Sequence, residues 1–96
     1  MIAKRHEIDQ RVILAVCDKE CLGKTFEQGE LQFVASVKFY SGEDVTEDEL
    51  IEMFKSADSI NLFGNKCVEI ALKKGLVSEK SIITIAGQKH AQVYRT

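Results

Sequence analysis

The chain has 96 residues, 45% of them hydrophobic and 29% charged, with a formal net charge of −2. Those figures describe one soluble domain over 1–96, large enough to bury about 60–65% of its unfolded surface without disulfides or metal. The longest apolar run, Val12 to Cys17, is six residues against the ~20 of a membrane span, and no apolar stretch of signal length follows Met1–His6, so membrane, secreted and disordered classes are excluded.

Two strands open the chain, over 1–6 and 11–17, joined by a polar turn around Glu7-Ile8-Asp9-Gln10. Val12 to Cys17 is apolar on both faces, the pattern of a central strand covered on both sides. Asp18, Gly23 and Gly29 among charges predict a loop over 18–29 holding one helical turn. From Leu31, period two takes over: Leu31, Phe33, Ala35, Val37 and Phe39 share one face, and Gln32, Val34, Ser36, Lys38 and Tyr40 the other. That alternation predicts a half-buried strand, broken at Ser41-Gly42-Glu43.

Thr46-Glu47-Asp48-Glu49 matches a capping box, in which the Thr46 hydroxyl accepts the Glu49 amide and the Glu49 carboxylate reaches back to the Thr46 amide. A helix over 47–57 follows, with Leu50, Ile51, Met53, Phe54 and Ala57 as its apolar stripe. Ser59 to Phe63 is a short strand ending at Gly64, and a second helix runs to Lys74, burying Cys67, Val68, Ala71 and Leu72. Gly75 suits the left-handed position after that helix. Ser81 to Ala86 and Ala91 to Arg95 are the last strands, separated by a turn at Gly87-Gln88. The expected fold is a single-domain α+β protein with a mixed sheet, in the order β-β-β-α-β-α-β-β. Residues 59–86 are expected to form a right-handed parallel βαβ unit.

Charge is unevenly spread. Residues 1–42 balance, residues 43–58 carry −6, and residues 59–96 carry +4. Lys66, Lys73, Lys74, Lys80, Lys89 and Arg95 supply all the positive charge of the last segment. The three cysteines, Cys17, Cys21 and Cys67, have no framework spacing and fit free thiols in a reducing, cytoplasmic setting.

Several places could carry chemistry. Leu22-Gly23-Lys24-Thr25 after an apolar strand resembles part of a phosphate-binding loop, but Asp18 stands where that loop needs its first glycine. An anion there occupies the place of the phosphate. Cys17-x₃-Cys21 is one loose ligand pair without a second, so no metal and no cofactor are expected. Gly64 at a strand-to-helix junction is the stronger candidate, because a helix start presents unpaired amides to anions. Asn61, Gly64 and Lys66, with Asp18, Lys24 and His90 brought in by the fold, form the candidate ligand or anion site. Lys73, Lys74, Lys80, Lys89 and Arg95 form the candidate nucleic-acid contact. Tyr40 precedes the acidic segment, which argues against a base stacking on it.

Five segments in order carry a family resemblance: Ala15-Val16-Cys17-Asp18, Leu22-Gly23-Lys24, Phe39-Tyr40-x-Gly42-Glu43, Ala57-Asp58 with Asn61-Leu62-x-Gly64, and Gly87-x₂-His90-Ala91-Gln92. The chain resembles the archaeal "domain of unknown function 424" family over nearly its whole length. The resemblance implies a small cytosolic archaeal protein and brings no catalytic assignment. Where that family usually carries proline before the histidine, this chain has Lys89.

Two functions compete. One is a non-enzymatic binding or accessory module contacting RNA or a protein of the translation machinery through the basic C-terminal half. The other is a small enzyme or ligand-binding protein with its site at Gly64. A homodimer through the sheet edge, or through the acidic and basic segments, is a third, structural reading. No nucleophile-base-orienter set can be read from the sequence, which favours the first.

Overall fold

The computed structural model describes residues 1–95. β1 (Ile2–Ile8) and β2 (Arg11–Cys17) form an antiparallel hairpin closed by Asp9 and Gln10. Both turn residues have positive φ, as a tight two-residue hairpin requires. β2 runs parallel to β6 (Ser59–Phe63), and β6 pairs antiparallel with β8 (Gln88–Tyr94). Short strands close the two edges: β5 (Glu43–Asp44) on β1, and β7 (Ile83–Ile85) on β8. The six-stranded order is β5-β1-β2-β6-β8-β7.

One face of this sheet carries α2 (Glu47–Lys55) and α3 (Asn65–Lys73). Leu14, Val16, Ile60, Leu62 and Ala91 from the strands meet Leu50, Phe54, Cys67, Val68 and Ala71 in the larger core. The capping box forms as expected, with Glu49 N donating to Thr46 Oγ1 at 3.2 Å and Thr46 N donating to Glu49 Oε1 at 2.9 Å. The opposite face is covered only in part. There a separate hairpin, β3 (Thr25–Gln28) with β4 (Leu31–Val34), and the single turn α1 (Val37–Tyr40) build a second core on Ala15, Cys17 and Phe63.

The α+β class and mixed sheet are as expected, with departures in detail, among them a last strand that starts at Gln88 rather than Ala91. Thr25–Gln28 is a strand within the expected loop, paired to β4 around Gly29-Glu30. The alternation from Leu31 to Tyr40 does not make one strand. It stops at Val34, and Ser36 caps α1 by accepting the Phe39 amide at 3.3 Å. A serine side chain that satisfies a first-turn amide outweighs a weak period-two signal. Finally, β6 and β7 point the same way, but β8 lies between them. Ala86 and Gly87, both at positive φ, turn the chain sharply enough for β8 to fold back into that gap. The strand directly parallel to β6 is β2.

Candidate functional site

Asp18 follows β2 and is 2% exposed. Its amide donates to the Phe63 carbonyl oxygen at the end of β6, at 3.0 Å. Its carboxylate accepts from the first turn of α3: Lys66 N to Oδ2 at 2.8 Å and Cys67 N to Oδ1 at 3.0 Å. Helix starts attract anions because their first amides are unpaired and the dipole is positive there. Here the chain supplies the anion itself, from a distant strand. Gly64 makes the arrangement sterically feasible, since a Cβ on it would lie 2.4 Å from Asp18 Cγ. The neighbouring turn is also closed upon itself. Asn65 Nδ2 donates to the Gly87 carbonyl oxygen, Lys89 N donates to Asn65 Oδ1, and Gly64 N donates to the Lys89 carbonyl oxygen.

The expected anion site is therefore partly assembled and already filled. Asp18, Gly64 and Lys66 converge, but Lys66 contributes its backbone amide while its side chain is exposed. Lys24 is exposed in the loop, exchanging backbone hydrogen bonds with Cys21 and Ala35. His90 lies one strand away, its ring centroid 4.7 Å from Phe33 and 6.0 Å from Phe63, with Nε2 buried and unpaired among the described residues. Burial lowers its pKa. Asn61 points into a different region, described below. The thiols near Asp18 are poor nucleophiles: burial above all pushes Cys17 up to about 12, Cys21 up to about 11, and Cys67 well above the ordinary thiol range.

The basic residues of the C-terminal half fall into separate groups, Lys66 and Lys73 lining one depression beside Glu47 and Glu69, and Lys74 and Arg95 lining another. Lys73 pairs with Glu47 at 3.7 Å, and Lys89 with Glu69 at 3.8 Å. Arg95 Nη1 donates to the carbonyl oxygens of Phe54 and Ala57, closing the end of α2. Lys74 borders a shallow groove with Arg95 and Lys55, and Lys80 stands apart in the one-turn 3₁₀ segment Glu79–Ser81.

The sheet face opposite α2 and α3 is the more coherent surface. Register sets its side chains in rows across the strands. Cys17, Phe63 and His90 form the first row; Lys4, Ala15, Asn61 and Gln92 the second; His6, Ile13, Ser59 and Tyr94 the third. The β3–β4 hairpin covers the first row, with Phe33 stacked on Phe63 at 4.1 Å and Phe26 tilted against it at 5.0 Å. α1 covers the β1 side of the other two. Its Phe39 stacks on His6 at 4.8 Å, and its Tyr40 hydroxyl donates to Asn61 Oδ1. The β6–β8 side is left open, where Tyr94 is 77% exposed.

Phe39 separates two depressions on this face. One, of about 180 Å³, is lined by Ile13, Ser59, Asn61, Gln92 and Tyr94; the other, of about 350 Å³, by Lys4, His6, Ser36 and Lys38. No carboxylate lines either one among the described residues. Lys4 Nζ reaches the Lys38 carbonyl oxygen at 3.0 Å, holding α1 against β1. Arg11, further along the same face of β2, donates to the Arg95 carbonyl oxygen at 3.3 Å. Sequence reasoning missed this surface. Its signal was the alternation of Gln88, His90, Gln92 and Tyr94 against Lys89, Ala91 and Val93, legible only once β8 is seen to start at Gln88.

The fold and this surface define a small α+β domain with one helix-covered and one half-open sheet face. The chain belongs to the family described as protein of unknown function (DUF424), which it matches over residues 6–96. It is similar to an uncharacterized conserved protein from Methanopyrus kandleri of known crystal structure, with a TM-score of 0.77 and 24% identity, covering 99% of this chain and 93% of that one. That likeness shows the fold. No curated protein matches. No helix among the described residues is long and apolar enough to cross a membrane.

Proposed function

We propose that this chain is a non-enzymatic binding module that takes single-stranded RNA on the open half of its sheet. The observation that carries this reading is the exposed Tyr94 ring, beside Ile13 and Phe39, on a face bordered by Lys4 and Lys38 with no lining carboxylate among the described residues. Proteins that hold single strands combine aromatic rings for base stacking with cations along the backbone path, and sheet faces are a common platform. Most of the acidic segment that argues against stacking near Tyr40 lies away from this face: Glu47 to Glu49 open α2 on the other face, and Glu43 and Asp44 pair with the far edge of β1, where Glu43 shares a separate depression with Lys4. Tyr40 itself is buried beneath the surface and does not offer a ring to a base.

Fluorescence anisotropy with labelled ten-nucleotide RNAs at low salt tests the proposal. Tyr94→Ala is expected to weaken binding at least about fivefold, the loss of one base stack. Charge reversal at Lys4 and Lys38 together is expected to reduce the log–log salt slope by about 1.4, two phosphate contacts on a single strand. Binding that ignores these changes but weakens on reversal at Lys73 and Lys74 would move the contact to the C-terminal half. Absence of RNA binding overturns the proposal.

A further inference from the structure

We infer that Asn61 and Gln92 form a paired hydrogen-bond donor that selects bases with two carbonyl acceptors, uracil ahead of cytosine and adenine; the inference rests on the RNA reading above. The two residues are directly opposed on β6 and β8 and point to the same face. Each has its side-chain oxygen occupied by a tyrosine: Tyr40 Oη donates to Asn61 Oδ1, and Tyr94 Oη donates to Gln92 Oε1. An amide so held turns its NH₂ group away from the hydroxyl, toward the remaining space. Neither NH₂ group has a protein acceptor within the described residues, and both side chains line the small depression under Tyr94.

Opposed residues on antiparallel strands stand about 4.5–5.5 Å apart. NH₂ donors carried on backbones so spaced can meet a base whose acceptors flank one edge. Uracil has this pattern, with a carbonyl on each side of its N3–H. Cytosine replaces one carbonyl with an amino group, setting donor against donor. Adenine has no carbonyl at all, so it offers neither of the two acceptors. Buried Tyr40 gives Asn61 its fixed orientation, whereas Gln92 is oriented by the exposed Tyr94.

Equilibrium binding of the intact chain to ten-nucleotide oligouridine, oligocytidine and oligoadenosine tests the inference. Oligouridine is expected to bind about tenfold or more tighter than oligocytidine, the discrimination of one well-placed hydrogen-bonding pair. Gln92→Glu puts an acceptor where the donor stood. It is expected to reduce the uridine-to-cytidine ratio at least tenfold even as its charge lowers both affinities. Gln92 is exposed, and circular dichroism checks that the variant folds. Equal binding of the three RNAs, or tighter binding of cytidine or adenosine, overturns the donor pair while leaving the RNA reading standing. No binding to any of them overturns both.

Discussion

Asp18 and Gly64 hold each other in place: the Asp18 carboxylate bonds the first-turn amides of α3, and residue 64 has no room for a side chain beside it. The pairing joins the end of β2 to the end of β6 and the start of α3. It gives α3 the cap that Gly64, its own N-cap residue, cannot supply from a side chain. It also explains why the apparent anion site is better understood as a structural joint. The ligand is part of the chain.

Gly64→Ala is therefore expected to be among the most damaging substitutions of a small residue. Its φ of 123° with ψ of 150° belongs to a region that is essentially glycine-only, and an added Cβ meets Asp18 at 2.4 to 2.6 Å. Backbone strain and overpacking each cost about 1–3 kcal/mol, so a loss of about 2 kcal/mol or more is expected in urea unfolding. A loss below about 0.5 kcal/mol would mean that Asp18 readily moves aside. The joint would then be looser than its geometry implies.

Thr46→Ala should remove one half of the capping box and cost about 1 kcal/mol. Thr46→Ser should retain most of the stability, since it keeps the acceptor. The same urea experiment reads both. Equal losses for the two variants would point to the threonine methyl group rather than the hydrogen bond.

The capping box was legible in the sequence because all its parts lie within four residues. So were the doubly covered β2, the strand before Gly64 and the burial of Cys67, Val68 and Ala71, each marked by local periodicity. Asp18 was legible in part, as an anion standing where a phosphate would sit. Which helix it served was not, because Lys66 and Cys67 lie 48 and 49 residues away. The strand expected through Leu31–Tyr40 failed because alternation alone does not register Ser36 as a cap. The open face depends on non-local pairing throughout. Asn61 meets Gln92 only because β8 folds back beside β6, and nothing local to either residue announces it.

The thiols supply an alkaline prediction. Burial raises Cys17 to about 12 and Cys21 to about 11 from an ordinary 9.0, so the folded chain retains protons that the unfolded chain releases. Their contribution to stability is complete below about pH 9 and is lost as pH rises through 11 to 12. The thermal midpoint of the native chain should fall over that window, and a Cys17→Ala, Cys21→Ala double variant should show a shallower fall. In the native chain near pH 8, all three thiols should react slowly with iodoacetamide, and rapidly once denatured. Fast native alkylation would show that the second core opens readily.

His90 supplies the acid counterpart. Its ring packs beside the stacked pair of Phe33 and Phe63, with Nε2 buried and lacking a partner among the described residues, and burial lowers its pKa from 6.5. The neutral ring is the form that the fold accepts. Above about pH 6.5 both folded and unfolded chains hold it neutral, and its contribution is intact; as pH falls, the unfolded chain takes up the proton first, and that contribution is lost through the lower folded pKa. His90→Phe keeps an aromatic ring against its two neighbours and removes the titration. Urea midpoints at about pH 7.5 and about pH 5.5 should therefore fall more in the native chain than in the variant. The comparison of the two proteins isolates residue 90, the single position at which they differ. Equal falls would mean that His90 reaches solvent when protonated, with the β3–β4 hairpin lifting from the sheet at little cost.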